Sequence, residues 1–111
     1  MPDDVKAWLL DILNAIGEID GFLPGSKQFA DFAGDLRTRR AVERNLEIIG
    51  EALGRVLRYD ANVAVSNARK IVAARNRIIH GYDTVSVEVV WGIVVRHLPV
   101  LRAEVTALLA R

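Results

Sequence analysis

Two stretches of this 111-residue chain repeat their apolar residues at alternating steps of four and three. Val42, Leu46, Ile49, Leu53 and Val56 form one run; Val87, Trp91, Val94, Leu98, Leu101, Val105 and Leu108 form the other. That period lines one side of a helix, whereas a half-buried strand alternates every second residue. The valines of VSVEVVWGIVV favour a strand by propensity alone, but a period sustained for six steps outweighs local preference. A helix with one apolar stripe buries it only against another helix, so the pattern predicts an all-α bundle.

Punctuation divides the chain further. Pro2, Asp3 and Asp4 suit the first turn of a helix running to Phe22, with Val5, Trp8, Leu9, Ile12, Leu13, Ile16 and Ile19 on its apolar stripe. Pro24 and Gly25 end it. Ser26 is placed to cap a short helix through KQFADFA that Gly34 closes. Asp35 caps a second long helix to Tyr59, and Ser66 caps a third that runs to His80 and stops at Gly81. The last helix begins near Ser86 and is expected to kink or restart at Pro99, which lacks an N–H and disfavours helical geometry at Leu98. The prediction is four long antiparallel helices plus one short helix in a single domain, residues 1–111. Val89, Ile93 and Val95 lie off the main stripe of the last helix, an apolar surplus that points to a homodimer.

Composition excludes several functions. The chain has no cysteine, which removes disulfides, thiolate zinc sites, iron–sulfur clusters and thiol catalysis. It has two histidines, His80 and His97, so a multi-histidine metal site is not expected, nor is a cofactor. No apolar run reaches the roughly 18–20 residues of a membrane span. MPDDVKAW begins with acids where a signal peptide carries lysines, so a cytoplasmic protein is expected.

Charge is divided unevenly. Residues 1–35 hold two basic and seven acidic side chains; residues 36–111 hold 13 basic and seven acidic. Twelve of the 15 basic residues are arginine, whose planar fork matches phosphate and carboxylate. Arg37, Arg40, Arg44, Glu47, Glu51, Arg55 and Arg58 follow helical spacing opposite the apolar stripe of the second long helix. They read equally well as a solvated face of internal ion pairs and as arginines, Arg40 and Arg44 among them, edging an RNA groove, with Glu51 facing the next helix.

Chemistry is concentrated in RNRIIHGYD, residues 75–83. Arg75 and His80 are five residues apart, about 140° around an ideal helix, so they converge only if the last turn leaves α geometry. Asn76 and His80 share a face, which lets Asn76 orient the imidazole. A helix carbonyl end favours a cationic imidazole but repels phosphate, which Arg75 and Arg77 would offset. A histidine that moves a proton beside an arginine that stabilises phosphoryl charge suits phosphodiester cleavage. Without a metal the nucleophile is the neighbouring 2′-hydroxyl, which restricts the substrate to RNA. His97, before the Pro99 break, reads as structural, and Trp8 and Trp91 read as core.

These residues carry a resemblance. Arg75, Asn76, His80 and Tyr82 are similar to the motif of the HEPN superfamily in its HepT-like form. RAVERNLEIIGEAL (residues 40–53), LLDILNAI, Val90-Trp91 and Leu98-Pro99 extend the likeness over most of the chain. AVSNARKIVAA stands where that family commonly has Pro-Trp before the motif helix. The resemblance implies a homodimeric bundle whose two motifs face one cleft. It implies a metal-independent endoribonuclease toxin with an MntA-type nucleotidyltransferase antitoxin as partner. It further implies that Arg75 and His80 are catalytic, Asn76 supports them, and Tyr82 accepts AMP from the antitoxin. A non-catalytic HEPN module that binds nucleotide or RNA, or regulates a nucleotidyltransferase, is the alternative.

Overall fold

The longest helix starts where an aspartate can cap it. The Asp35 carboxylate accepts from the Thr38 N–H at 3.1 Å and from the Thr38 hydroxyl at 2.6 Å, satisfying one of the free donors of the first turn. The hydroxyl bond, then the backbone bond, holds the Asp35 carboxyl below its ordinary range. In the computed structural model, which describes residues 1–23, 25, 28–80 and 86–111, this helix is α3, Leu36–Tyr59. Its predicted stripe of Val42, Leu46, Ile49, Leu53 and Val56 is buried.

Helix α1, Asp3–Phe22, follows Pro2 and buries Val5, Leu9, Ile12, Ile16 and Ile19. Helix α2, Phe29–Gly34, is shorter than the pattern implied and includes Gly34 as its last residue; the proposed cap, Ser26, lies outside the described residues. Helix α4 is Ala68–His80. Ser66 does not cap it. The Ser66 N–H and hydroxyl both donate to the Glu104 carboxylate, at 2.9–3.1 Å, so a side chain 38 residues away claims the group that local sequence assigns to the helix.

Ser86 caps α5, Val87–Gly92, by accepting from the Val89 N–H at 3.1 Å. The chain then makes a π-helical turn over Ile93–His97 and continues as α6, Leu98–Leu109. Leu98 N–H reaches back five residues to Ile93 O. Pro99 stands in the first turn of α6, so of the two outcomes expected of it the helix restarts, after a wide turn. Proline supplies no donor and its ring presses on the carbonyl four residues earlier, and a shift to five-residue bonds relieves both. The extra residue in that turn moves the apolar seam. Val90, Ile93, Val94, Leu98, Leu101, Val105 and Leu108 are buried, while Val87 and Trp91 are only partly so. Ile93 belongs to the core rather than to an apolar surplus; Val89 and Val95 remain exposed.

Neighbouring helices run antiparallel. Phe22 and Leu23 at the end of α1 share a hollow with Thr38 near the start of α3. Trp8 and Asp11 share one with Glu51 and Arg55 further along α3. The Ser66–Glu104 link joins the start of α4 to the middle of α6, and Arg77 lies beside Val89. Trp91 fastens α2 to the last helix by packing against Phe32 at 5.1 Å and edge-on to Phe29 at 6.1 Å between ring centroids. The described residues form the all-α bundle that the periods imply, with four long helical stretches, one short helix and no strand.

Candidate functional site

Arg75 is set by a glycine on the neighbouring helix. A methyl group at Gly50 of α3 would overlap Cβ of Arg75 and stand 2.8 Å from its Cγ. The two backbones approach this closely only because position 50 has no side chain. Arg75 is half-buried in that contact. Its Nε is buried and bonds no other group, while its Nη1 donates to Asn76 Oδ1 at 3.0 Å. Asn76 therefore holds the guanidinium. This differs from the expectation that it orients His80: the arginine next to it offers a charged donor, the stronger partner.

His80 is the last residue of α4 and is exposed. The helix keeps α geometry through His80, so the condition under which Arg75 and His80 would converge is not met within the described residues. The two remain about 140° apart around the axis, Arg75 against α3 and His80 in solvent. Tyr82, the expected acceptor of AMP, lies outside the described residues.

The second helix face is a set of internal pairs. Arg40 donates to Glu43 at 2.8 Å, Arg44 to Glu47 at 3.1 Å and Arg55 to Glu51 at 3.0 Å. Exposed pairs of this spacing contribute a few tenths of a kcal/mol. Glu51 does not face the motif helix. It lies beside Trp8 and Asp11 of α1, because Gly50, one residue earlier, occupies the side of α3 that meets α4.

On its other side α4 leaves a gap. It packs along α3 and makes little contact with the last helix. A groove of about 360 Å³ runs between them, floored by Ala73, Ala74 and Gly92 and edged by Lys70, Arg77 and His97. Burial pushes the His97 imidazole below its ordinary range, and the Lys70 and Arg96 cations push it further. Sequence reasoning placed Arg77 near RNA but passed over Lys70 and read His97 as structural, since only the packing of two successive helical stretches brings them to one groove. Asn45 was also missed: it is buried within the α3 seam, donating to Ala41 O at 3.2 Å while its Oδ1 bonds no other group.

The ribonuclease HepT-like family profile matches residues 12–108. The chain belongs to that family. It is similar to two Methanocaldococcus jannaschii proteins named as candidate RNases. One, MJ0127, is 35% identical over 97 residues, covering 86% of this chain and 79% of its own length. The other, MJ1380, is 35% identical over 104 residues, covering 92% and 94%. A Thermococcus cleftensis protein named as a candidate ribonuclease HepT is 35% identical over 100 residues, covering 89% and 90%. No solved structure matches the chain. The HepT-like match spans α2, α3, α4 and the last helix, so it includes the Gly50–Arg75 approach, His80 and the groove.

Proposed function

We propose that this HepT-like protein is a metal-independent endoribonuclease, the toxin of a toxin–antitoxin pair. The observation that carries the reading is the anchoring of Arg75: the α3 backbone, through Gly50, fixes its stem, and Asn76 holds its head. A guanidinium held this way is a preorganised charge for a phosphoryl oxygen. His80, exposed at the helix end, takes a proton from the 2′-hydroxyl of RNA. The 2′-oxygen bonds to phosphorus, the P–O5′ bond breaks, and the 5′-oxygen leaves with a proton. The products are a 2′,3′-cyclic phosphate and a 5′-hydroxyl. Cleavage of RNA in EDTA, with DNA left intact, tests this; dependence on added magnesium would overturn it.

Arg75 and His80 point to different sides of one α4, which supports a homodimer in which two motifs share a cleft and each copy completes the other's site. Sedimentation at tens of micromolar should show the dimer, and mixed dimers of Arg75→Ala and His80→Ala chains should regain part of the lost activity. Control is assigned to Tyr82. An MntA-type nucleotidyltransferase links the tyrosine oxygen to the α-phosphorus of ATP and releases pyrophosphate. The AMP adds a negative charge and a purine two residues from His80, where each competes with RNA. Tyr82→Phe should keep RNase activity yet escape silencing; silencing that persists in Tyr82→Phe would reject the assignment.

A further inference from the structure

The groove between α4 and the π turn gathers three basic side chains from two helices. No described carboxylate lines it, and none of Lys70, Arg77 and His97 forms an ion pair with another described residue. The α3 arginines Arg40, Arg44 and Arg55 each have a glutamate instead. The floor of Ala73, Ala74 and Gly92 leaves the three heads room to converge, and a Cβ built on Gly92 meets no atom within 4 Å. The Ser66–Glu104 link lies beyond the Lys70 end of the groove, and the Arg77 end lies toward the end of α4. There Arg77 and His80 are three residues apart on one helix, neighbours at about 5–6 Å between Cβ atoms.

We infer that Lys70, Arg77 and His97 form a subsite for a backbone phosphate of the RNA strand, adjacent to the phosphodiester whose 2′-hydroxyl His80 deprotonates. This rests on the ribonuclease reading and extends it from the cut bond to how the strand is held. Lys70 and Arg77 neutralise a phosphate oxygen each, and the His97 ring closes the groove from the last helix. The π turn bears on the site directly: residues 93–97 are its members, and Ile93 and His97 both line the groove. Wide turns of this kind often accompany binding sites.

The test measures binding apart from cleavage, with a 2′-O-methyl RNA oligonucleotide that keeps its phosphates but lacks the nucleophile. Lys70→Ala and Arg77→Ala should each weaken binding about tenfold. Each should also flatten the dependence of log K on log salt by about 0.7. Gly92→Glu puts a carboxylate into open space between the cations and should weaken binding at least as much, with an unchanged circular-dichroism melt showing that the bundle is intact. Lys6→Ala, on the far acidic helix, is the charge-matched control. On cleavable RNA the Lys70 and Arg77 changes should raise KM far more than they lower kcat. Wild-type cleavage with unaltered binding by Lys70→Ala and Gly92→Glu overturns the subsite and leaves the ribonuclease reading standing. Groove-dependent binding of RNA that is never cut keeps the subsite and overturns the cleavage reading. A shift in oligomeric state in place of RNA affinity identifies the groove as a protein interface and overturns the proposal.

Discussion

The two sides of α4 are built on opposite plans. Toward α3 the helix comes so close that a single methyl at Gly50 has no room, and the residue it meets is Arg75. Toward the last helix it stands off, leaving a groove whose glycine, Gly92, faces open space. One glycine is there for contact and the other leaves a space. One charged side chain, Arg75, is fixed in place on the tight side, and the three basic side chains on the loose side are the ones proposed to meet a strand.

The largest expected effect separates the sides by kinetics. Arg75→Ala should lower kcat on RNA by roughly 10²–10³, the usual cost of losing one positioned group from a phosphoryl or acyl transition state, while Lys70→Ala leaves kcat within a fewfold. Equal losses of kcat from both would erase the distinction. Gly50→Val comes next. Overpacking a close helix crossing costs about 1–3 kcal/mol, which a denaturant titration reads, and RNase activity should fall in the fraction that still folds because Arg75 is displaced. A Gly50→Val protein with wild-type stability and activity would mean that the close approach matters little.

Gly92→Ala should do the reverse of Gly50→Val. It relieves helix entropy without a clash, so stability should hold or rise by up to about 1 kcal/mol; a loss comparable to that of Gly50→Val would show the loose side to be tight. The smallest effect is in pH. The folded-state His97 imidazole lies below its ordinary value of 6.5, so the native protein binds fewer protons than the unfolded chain as pH falls past 6.5, and stability declines there. His97→Gln should remove that part of the decline, seen as a flatter melting temperature between pH 7 and pH 5.5 in buffers of about equal ionic strength. An unchanged profile would mean that burial and the Lys70 and Arg96 cations have little influence on this ring.

Much of the tight side was legible in the sequence. The Val42-to-Val56 stripe and the Asp35 cap are local patterns, and local patterns fix where α3 starts and which face it buries. The identity of what approaches was less clear: spacing suggested Glu51 toward the motif helix, and a difference of one residue, 100° around the axis, puts it beside α1 instead. The loose side was hardly legible. Ser66 looked like a cap because nothing nearby signals that Glu104 will take its donors. Lys70 and His97 belong to helical stretches that make little contact, one of them with a π turn, and Pro99 marks a disturbance without saying which kind. Ile93 entered the core for the same reason.

That turn has a consequence for how the last helix tolerates change in length. Residues 93–97 act as a slack link holding one residue more than the ladder needs, so a single deletion there lets the bonds close up as ordinary α-helix instead of breaking the rod. The segment before it would then rotate by about 100° relative to α6. Trp91 would swing off Phe29 and Phe32, unlatching α2, while Leu98 through Leu108 kept their places against α1. A single deletion at this point becomes a change of phase between two halves.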